Sequence, residues 1–170
     1  MDRIAFETKF TIEDDGSIEG IAWPYGTPDK AGDIIKKGAV RVPVAEIPML
    51  RGHDPEALIG LWTEIKETDE GLLVKGNLDM KSRLARGTRS QILTGQYNGL
   101  SIASPRLSVK SVRQGRHRVI SQLDLIEVSI VRDPSHPGAR ITGAKSFDTA
   151  LAIAEAINRA TAALSIGTAR

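Results

Sequence analysis

LIGLWTEIKETDEGLLVKGNL, residues 58–78, is the stretch that decides the fold class. Residues 58–66 and 72–78 are short apolar-rich runs, and the polar segment Glu67-Thr68-Asp69-Glu70-Gly71 between them supplies a turn. Two such runs around a tight polar break read as neighbouring β-strands. Immediately afterwards the period changes. Met80, Leu84, Thr88 and Ile92 recur every four residues, Asp79 offers an N-cap and Gly95 a C-terminal stop, so a helix is expected over 79–95. Lys81, Arg83, Arg86 and Arg89 form its outer face, and Gly87 weakens it.

Strand character returns on the C-terminal side at residues 100–104, 107–113 and 117–131, with Gln114-Gly115-Arg116 as a hairpin turn. Pro134-Ser135-His136-Pro137-Gly138 closes that region. On the N-terminal side, residues 49–53 read as a strand ended by His53-Asp54-Pro55, and residues 24–33 as a Gly-, Pro- and Asp-rich loop. Ile34 and Ile35, followed by Gly38, suggest a short segment leading into 39–47, to which the pattern assigns no conformation. Ile4, Phe6, Thr8, Phe10 and Ile12 alternate with polar residues, so 4–12 is expected to pair with 17–23 through the turn Asp14-Asp15-Gly16. The expected architecture is mainly β with flanking helices, an α+β fold around a closed or partly closed barrel spanning residues 1–145. Residues 146–170 are expected to form a C-terminal amphipathic helix with Ile153, Ile157, Ala160 and Leu164 on one stripe, packed on the barrel or on a second copy.

Composition agrees with a single globular domain. The chain has 170 residues, 41% hydrophobic and 26% charged, which is too apolar for disorder. No run approaches the ~20 apolar residues that span a bilayer, and Met1-Asp2-Arg3 opens no signal peptide, so a cytosolic, membrane-free protein is expected. The absence of cysteine excludes disulfides, thiolate nucleophiles and cysteine-bound zinc. Lys and Arg total 23 against 21 Asp and Glu, a net charge of +2, which is no electrostatic footprint for nucleic acid. The basic segments 81–89 and 106–118 are exceptions, but only seven aromatic residues are present to stack bases (Trp 2, Tyr 2, Phe 3).

Three groups could carry chemistry. His53 ends a strand beside a turn, where functional side chains are often presented, though a turn histidine needs no function. His117, between Arg116 and Arg118, and His136, between prolines, read as solvated or structural. Ser101 alternates with Leu100 and Ile102 and shares its face with Ala103, leaving room around its hydroxyl. The bland reading is a serine on the solvent side of a strand. Glu127 lies among apolar neighbours, and a buried lone carboxylate is costly without a partner, which a histidine would supply. A serine, a base and an orienting acid are the parts of a nucleophilic relay. The nucleophile-elbow motif Gly-x-Ser-x-Gly is absent, which argues against an α/β-hydrolase, and no metal-ligand spacing occurs.

A series of short segments in order carries a resemblance. They are Gly20-Ile21-Ala22, the loop 29–33 leading to Gly38-Ala39, His53-Asp54 with Ile59-Gly60, and Glu70-Gly71-Leu72-Leu73-Val74-Lys75-Gly76. Beyond the helix come Gly99-Leu100-Ser101-Ile102, Leu125-Ile126-Glu127-Val128-Ser129-Ile130-Val131 and residues 134–139. Over residues 4–142 the chain resembles the tailed-phage prohead serine proteases, which share a fold with the herpesvirus assemblins. The resemblance implies a serine endopeptidase that removes scaffold segments from capsid precursors, and cleaves itself, inside the prohead in the host cytoplasm. It implies His53 as general base, Ser101 as nucleophile and Glu127 as third member, with Asp124 and His136 as alternatives because the viral relatives use a second histidine there. Arg132 is implied as an aid to oxyanion binding. No cofactor or metal is implied; the partners are the major capsid protein precursor and further copies of the chain. One departure is that Ala103-Ser104-Pro105 stands where the family has Gly and an aromatic, which makes Ser104 a rival nucleophile. The competing class is a catalytically idle capsid-assembly module of the same fold.

Overall fold

The computed structural model describes residues 16–143 of the chain. Eleven strands and one α-helix follow in order: β1 (Ser17–Pro24), β2 (Asp33–Ile35), β3 (Val40–Arg41), β4 (Ile47–Arg51), β5 (Asp54–Glu67), β6 (Gly71–Leu78), α1 (Arg83–Leu93), β7 (Gly99–Ala103), β8 (Lys110–Gln114), β9 (His117–Asp124), β10 (Glu127–Val131) and β11 (Arg140–Ile141). Seven strands close a barrel in the order β1-β11-β7-β10-β4-β5-β6, so the expected barrel is present and closed. All its pairs are antiparallel except β10 with β4. A smaller sheet is built on β9, with β8 antiparallel on one edge and β2 and β3 parallel along the other. The expected hairpin between 58–66 and 72–78 is the β5–β6 pair, with β5 beginning earlier, at Asp54.

The barrel interior is aliphatic apart from its tryptophans. Ile18, Met49, Val74, Leu100, Val128 and Ile130 are buried there around Trp62. The indole of Trp62 donates its Nε1–H to the Val128 carbonyl at 2.9 Å, pinning β10 from the inside. Removing a side chain of that size from a packed core costs about 3–5 kcal/mol.

Four expectations are corrected. The helix begins at Arg83 with Ser82 as N-cap, its Oγ accepting from Ala85 N at 3.4 Å. Asp79 caps a preceding turn instead, accepting from Lys81 N at 3.1 Å. The buried stripe is Ala85, Thr88 and Ile92, while Leu84 turns outward. Residues 107–113 are a 3₁₀ turn (Arg106–Ser108) followed by β8. The run 117–131 is two strands: Leu125 N donates to Arg41 O at 2.8 Å and Ile126 N to Ala103 O at 3.1 Å, where the chain passes from the small sheet to the barrel. Segment 39–47 holds β3 and the start of β4. The expected strand over 4–12 and helix over 146–170 lie outside the described residues; β1 pairs with β6 and β11.

Two side-chain links fasten the 24–33 loop and the small sheet. The Tyr25 hydroxyl donates to Glu67 Oε1 at 2.5 Å, and burial first, then the Glu67 carboxylate, pushes the phenol well above its ordinary value. Arg118 meets Asp33 with two hydrogen bonds, which hold the guanidinium firmly protonated. No helix among the described residues is long and apolar enough to cross a membrane.

Candidate active site

The site lies on the outer face of the wall formed by β7, β10 and β4. Along β10, Val128 and Ile130 point into the barrel, so Glu127 and Ser129 point out. Ser101 is the register partner of Ser129, and Ala103 that of Glu127, so all four share one face. Leu50 of β4 is the partner of Ser129 on the other side. The alternation expected for Ser101 therefore holds.

His53 enters this face from the β4–β5 turn. Arg51 pairs with Asp54, so the loop has only two residues, Gly52 and His53. Both have positive φ, +67° and +62°, the pattern of a type I′ hairpin. Glycine takes this conformation freely, whereas histidine pays about 1–2 kcal/mol for it. His53 is the only non-glycine with positive φ among the described residues. Its cost is met by bonds to β10. Gly52 N donates to Ile130 O at 3.1 Å and His53 N to Ser129 Oγ at 3.0 Å, while His53 Nδ1 bonds Glu127 Oε1. Ser129 Oγ in turn donates to Glu127 Oε2 at 3.3 Å.

Glu127 is 7% exposed and so depends on these two donors, while the His53 side chain keeps 41% of its surface open to solvent. Glu127 opens β10 rather than sitting mid-strand as expected. An imidazole whose Nδ1–H is held by a carboxylate carries its lone pair on Nε2, the tautomer a base needs. Ser101, 8% exposed, makes no side-chain hydrogen bond among the described residues. Its register partner Ser129 is the residue whose Oγ accepts from His53 N, so Ser101 and the His53 turn flank the same position of β10.

The alternatives for the third position are engaged elsewhere. Asp124 pairs with Arg41 at 2.7 Å. His136 is buried, accepts from Gly138 N at Nδ1 (3.1 Å), lies 3.2 Å from Thr27 O at Nε2, and packs edge-on against Trp23. Ser104 Oγ bonds Ser108 Oγ at 2.9 Å. The Arg132 guanidinium lies over the Tyr97 ring, 5.1 Å from its centre, and the Arg51 guanidinium lies 4.9 Å from the same centre. His117 opens β9, away from the wall.

Beside His53 and Glu127 runs a cleft of about 650 Å³ lined by Pro48, Leu50, Pro55, Leu58, Ala103 and Ile126. Leu58 and Ile126 stay 53% and 45% exposed there. Apolar surface left open next to a polar pair is characteristic of a binding face.

Residues 5–152 match the family model described as Caudovirus prohead serine protease. The chain belongs to that family. It is also 29% identical over 157 residues to the prohead protease of Enterobacteria phage HK97, covering 84% of this chain and 66% of that protein, so it spans just under two thirds of that relative. A crystal structure of KSHV protease in complex with a hexapeptide phosphonate inhibitor overlays with a TM-score of 0.49 and 16% identity, covering 74% of this chain and 63% of the other. Within the family frame, Ser129 is the residue that sequence reasoning passed over. The signal was its period-2 spacing from Glu127, which put both on one face, but nothing in one dimension revealed that this face would meet the main chain of His53.

Proposed function

We propose that the chain is a serine endopeptidase that cleaves scaffold segments from capsid precursor proteins, and itself, during prohead maturation in the host cytoplasm. Ser101 is the nucleophile, His53 the general base and Glu127 the group that orients and charge-stabilises the imidazole. The observation that carries this reading is the His53–Glu127 bond on the wall that also presents Ser101.

In the mechanism, His53 Nε2 takes the Ser101 Oγ proton as the oxygen attacks the peptide carbonyl. The tetrahedral intermediate collapses, His53 returns the proton to the leaving amine, and an acyl-enzyme remains on Ser101. Water, deprotonated by the same imidazole, then releases the acid product. Glu127 stays ionised and stabilises the imidazolium. Main-chain N–H groups hold the oxyanion, a contribution worth ~3–4 kcal/mol per donor in known enzymes. The apolar cleft beside His53 takes uncharged side chains flanking the scissile bond.

Intact-mass measurement after co-expression with the capsid precursor, for the wild type and for Ser101→Ala, tests the reading. Defined fragments of the precursor and of the chain that disappear with Ser101→Ala are expected. Equal fragments from both would move the nucleophile elsewhere, and none from either, also in assembled proheads, would leave the idle assembly module.

A further inference from the structure

We propose that Ser129 is a positioning residue of this site, its hydroxyl tying the main chain of His53 to the carboxylate that holds the His53 ring. The inference rests on the peptidase reading above. A buried serine commonly finds one hydrogen bond, which by itself signifies nothing. Ser129 differs in what it joins. It accepts from the main-chain N–H of His53 at 3.0 Å and donates to Glu127 Oε2 at 3.3 Å, while Glu127 Oε1 bonds the ring of the same histidine. These contacts close a loop through both ends of one residue, so the imidazole cannot swing without breaking a buried bond.

The placement answers a specific need. His53 occupies a left-handed conformation that histidine does not prefer, on a two-residue turn with no room for compensation within the loop. Gly52 is fastened by a main-chain bond to Ile130, whereas His53 N donates to the Ser129 hydroxyl, its one acceptor among the described residues. An apolar residue at 129 would strand the His53 N–H and remove one of the two donors of Glu127. Ser129 is 0% exposed and has already given its proton to a carboxylate, so it is no rival nucleophile to the Ser101 that faces it. A hydroxyl has one donor and two acceptor positions, and this one uses its proton and one lone pair on the catalytic pair.

Full-length wild type and Ser129→Ala test this with an alkyl fluorophosphonate, which phosphonylates a nucleophilic serine with loss of fluoride. Hydrogen exchange is followed by NMR at the His53 amide and the Trp62 indole. The Ser101 labelling rate is expected to fall about 10- to 100-fold in Ser129→Ala, the usual penalty for a misplaced catalytic group. The His53 amide should lose its protection while the Trp62 indole, bonded inside the barrel, keeps its own. An unchanged labelling rate would overturn the proposal, as would equal loss of protection at both positions, which means general loosening. A His53 amide that is unprotected in the wild type would overturn it without any activity. Absence of labelling in the wild type would instead overturn the peptidase reading, and the exchange comparison would still decide whether Ser129 holds His53.

Discussion

Two hairpins of this protein turn in two residues each, and they solve the same problem differently. At β8–β9, Gln114 pairs with His117 and the loop is Gly115-Arg116. Only Gly115 has positive φ, +61°, the pattern of a type II′ turn, so the residue that must be left-handed is the one that can be. At β4–β5 the loop is Gly52-His53, and both residues are left-handed. Asparagine or glycine would serve the second position with less strain. Where a chain retains a costly residue and ties it down through main chain and ring, the cost is sustained by something other than folding. The contrast separates a turn that only joins strands from one that aims a side chain.

The first way to break this comparison is to remove what the turn is aimed at. Ser101→Ala is expected to abolish precursor cleavage, a loss of roughly 10⁶-fold by comparison with other serine peptidases. Its melting temperature should stay the same or rise, because among the described residues the Ser101 hydroxyl has no hydrogen bond to lose. Cleavage assays and thermal melts on the same sample check both halves. Retained cleavage would leave the strained turn without a purpose.

Glu127→Gln comes next, at about 10⁴-fold in turnover. The amide keeps the shape, its oxygen can accept from His53 Nδ1, and Ser129 can accept from its NH₂ on a spare lone pair. Structure is therefore expected to survive while the charge that steadies the imidazolium is lost. A variant that cleaves within about tenfold of wild type would show that the carboxylate matters to packing, not to proton transfer.

Legibility in the sequence followed the same divide. The β5–β6 pair, the helix and the β8–β9 turn were readable because each depends on neighbours in the chain: apolar runs, a four-residue repeat, a glycine in a polar gap. The β9–β10 boundary was not, because alternation continues through 125–126 while the chain changes sheets, and that change is fixed by Arg41 and Ala103, far away in sequence. Unbroken alternation would put Ile126 on one face with Val128, yet Val128 is buried in the barrel and Ile126 borders the cleft. The helix start was misplaced by three residues because Asp79 and Ser82 are both good caps, and the structure uses them in succession. For the site, Glu127 was legible as a carboxylate needing a partner. The left-handed backbone of His53 was hidden, since Gly-His-Asp-Pro specifies a turn without specifying its hand.

Gly52→Ala sharpens the comparison by straining the functional turn while keeping every proposed catalytic atom. A Cβ at Gly52 meets nothing within 4 Å, so the cost is conformational alone, roughly 1–2 kcal/mol. Relaxing that strain shifts φ at 52 and therefore the entry of His53 onto Ser129 and Glu127. Cleavage is expected to fall about 10- to 100-fold with the protein still folded, as small misplacements of a base do.

Gly115→Ala is the control at the other two-residue turn and carries the smallest effect on cleavage. Gly115 has nearly the same φ as Gly52, and its added Cβ likewise meets nothing within 4 Å. The stability cost should be at least as large as at Gly52, because the first position of a type II′ turn admits an L-side chain less readily than a type I′ position, and roughly 1–2 kcal/mol already lowers the melting temperature by about 2–8 °C for a chain of this size. What differs is what hangs on the turn. The loop is Gly115 and Arg116, and β8 is exposed along its whole length on the edge of the small sheet. Arg118 meets Asp33 beyond the loop, which anchors β9 whatever the turn does. Cleavage measured well below the melting temperature should accordingly equal wild type. Lost activity in Gly52→Ala alone, with a melting shift in Gly115→Ala at least as large, would locate function in the hand of one turn. Equal activities would reduce the strain at His53 to an accident of hairpin geometry.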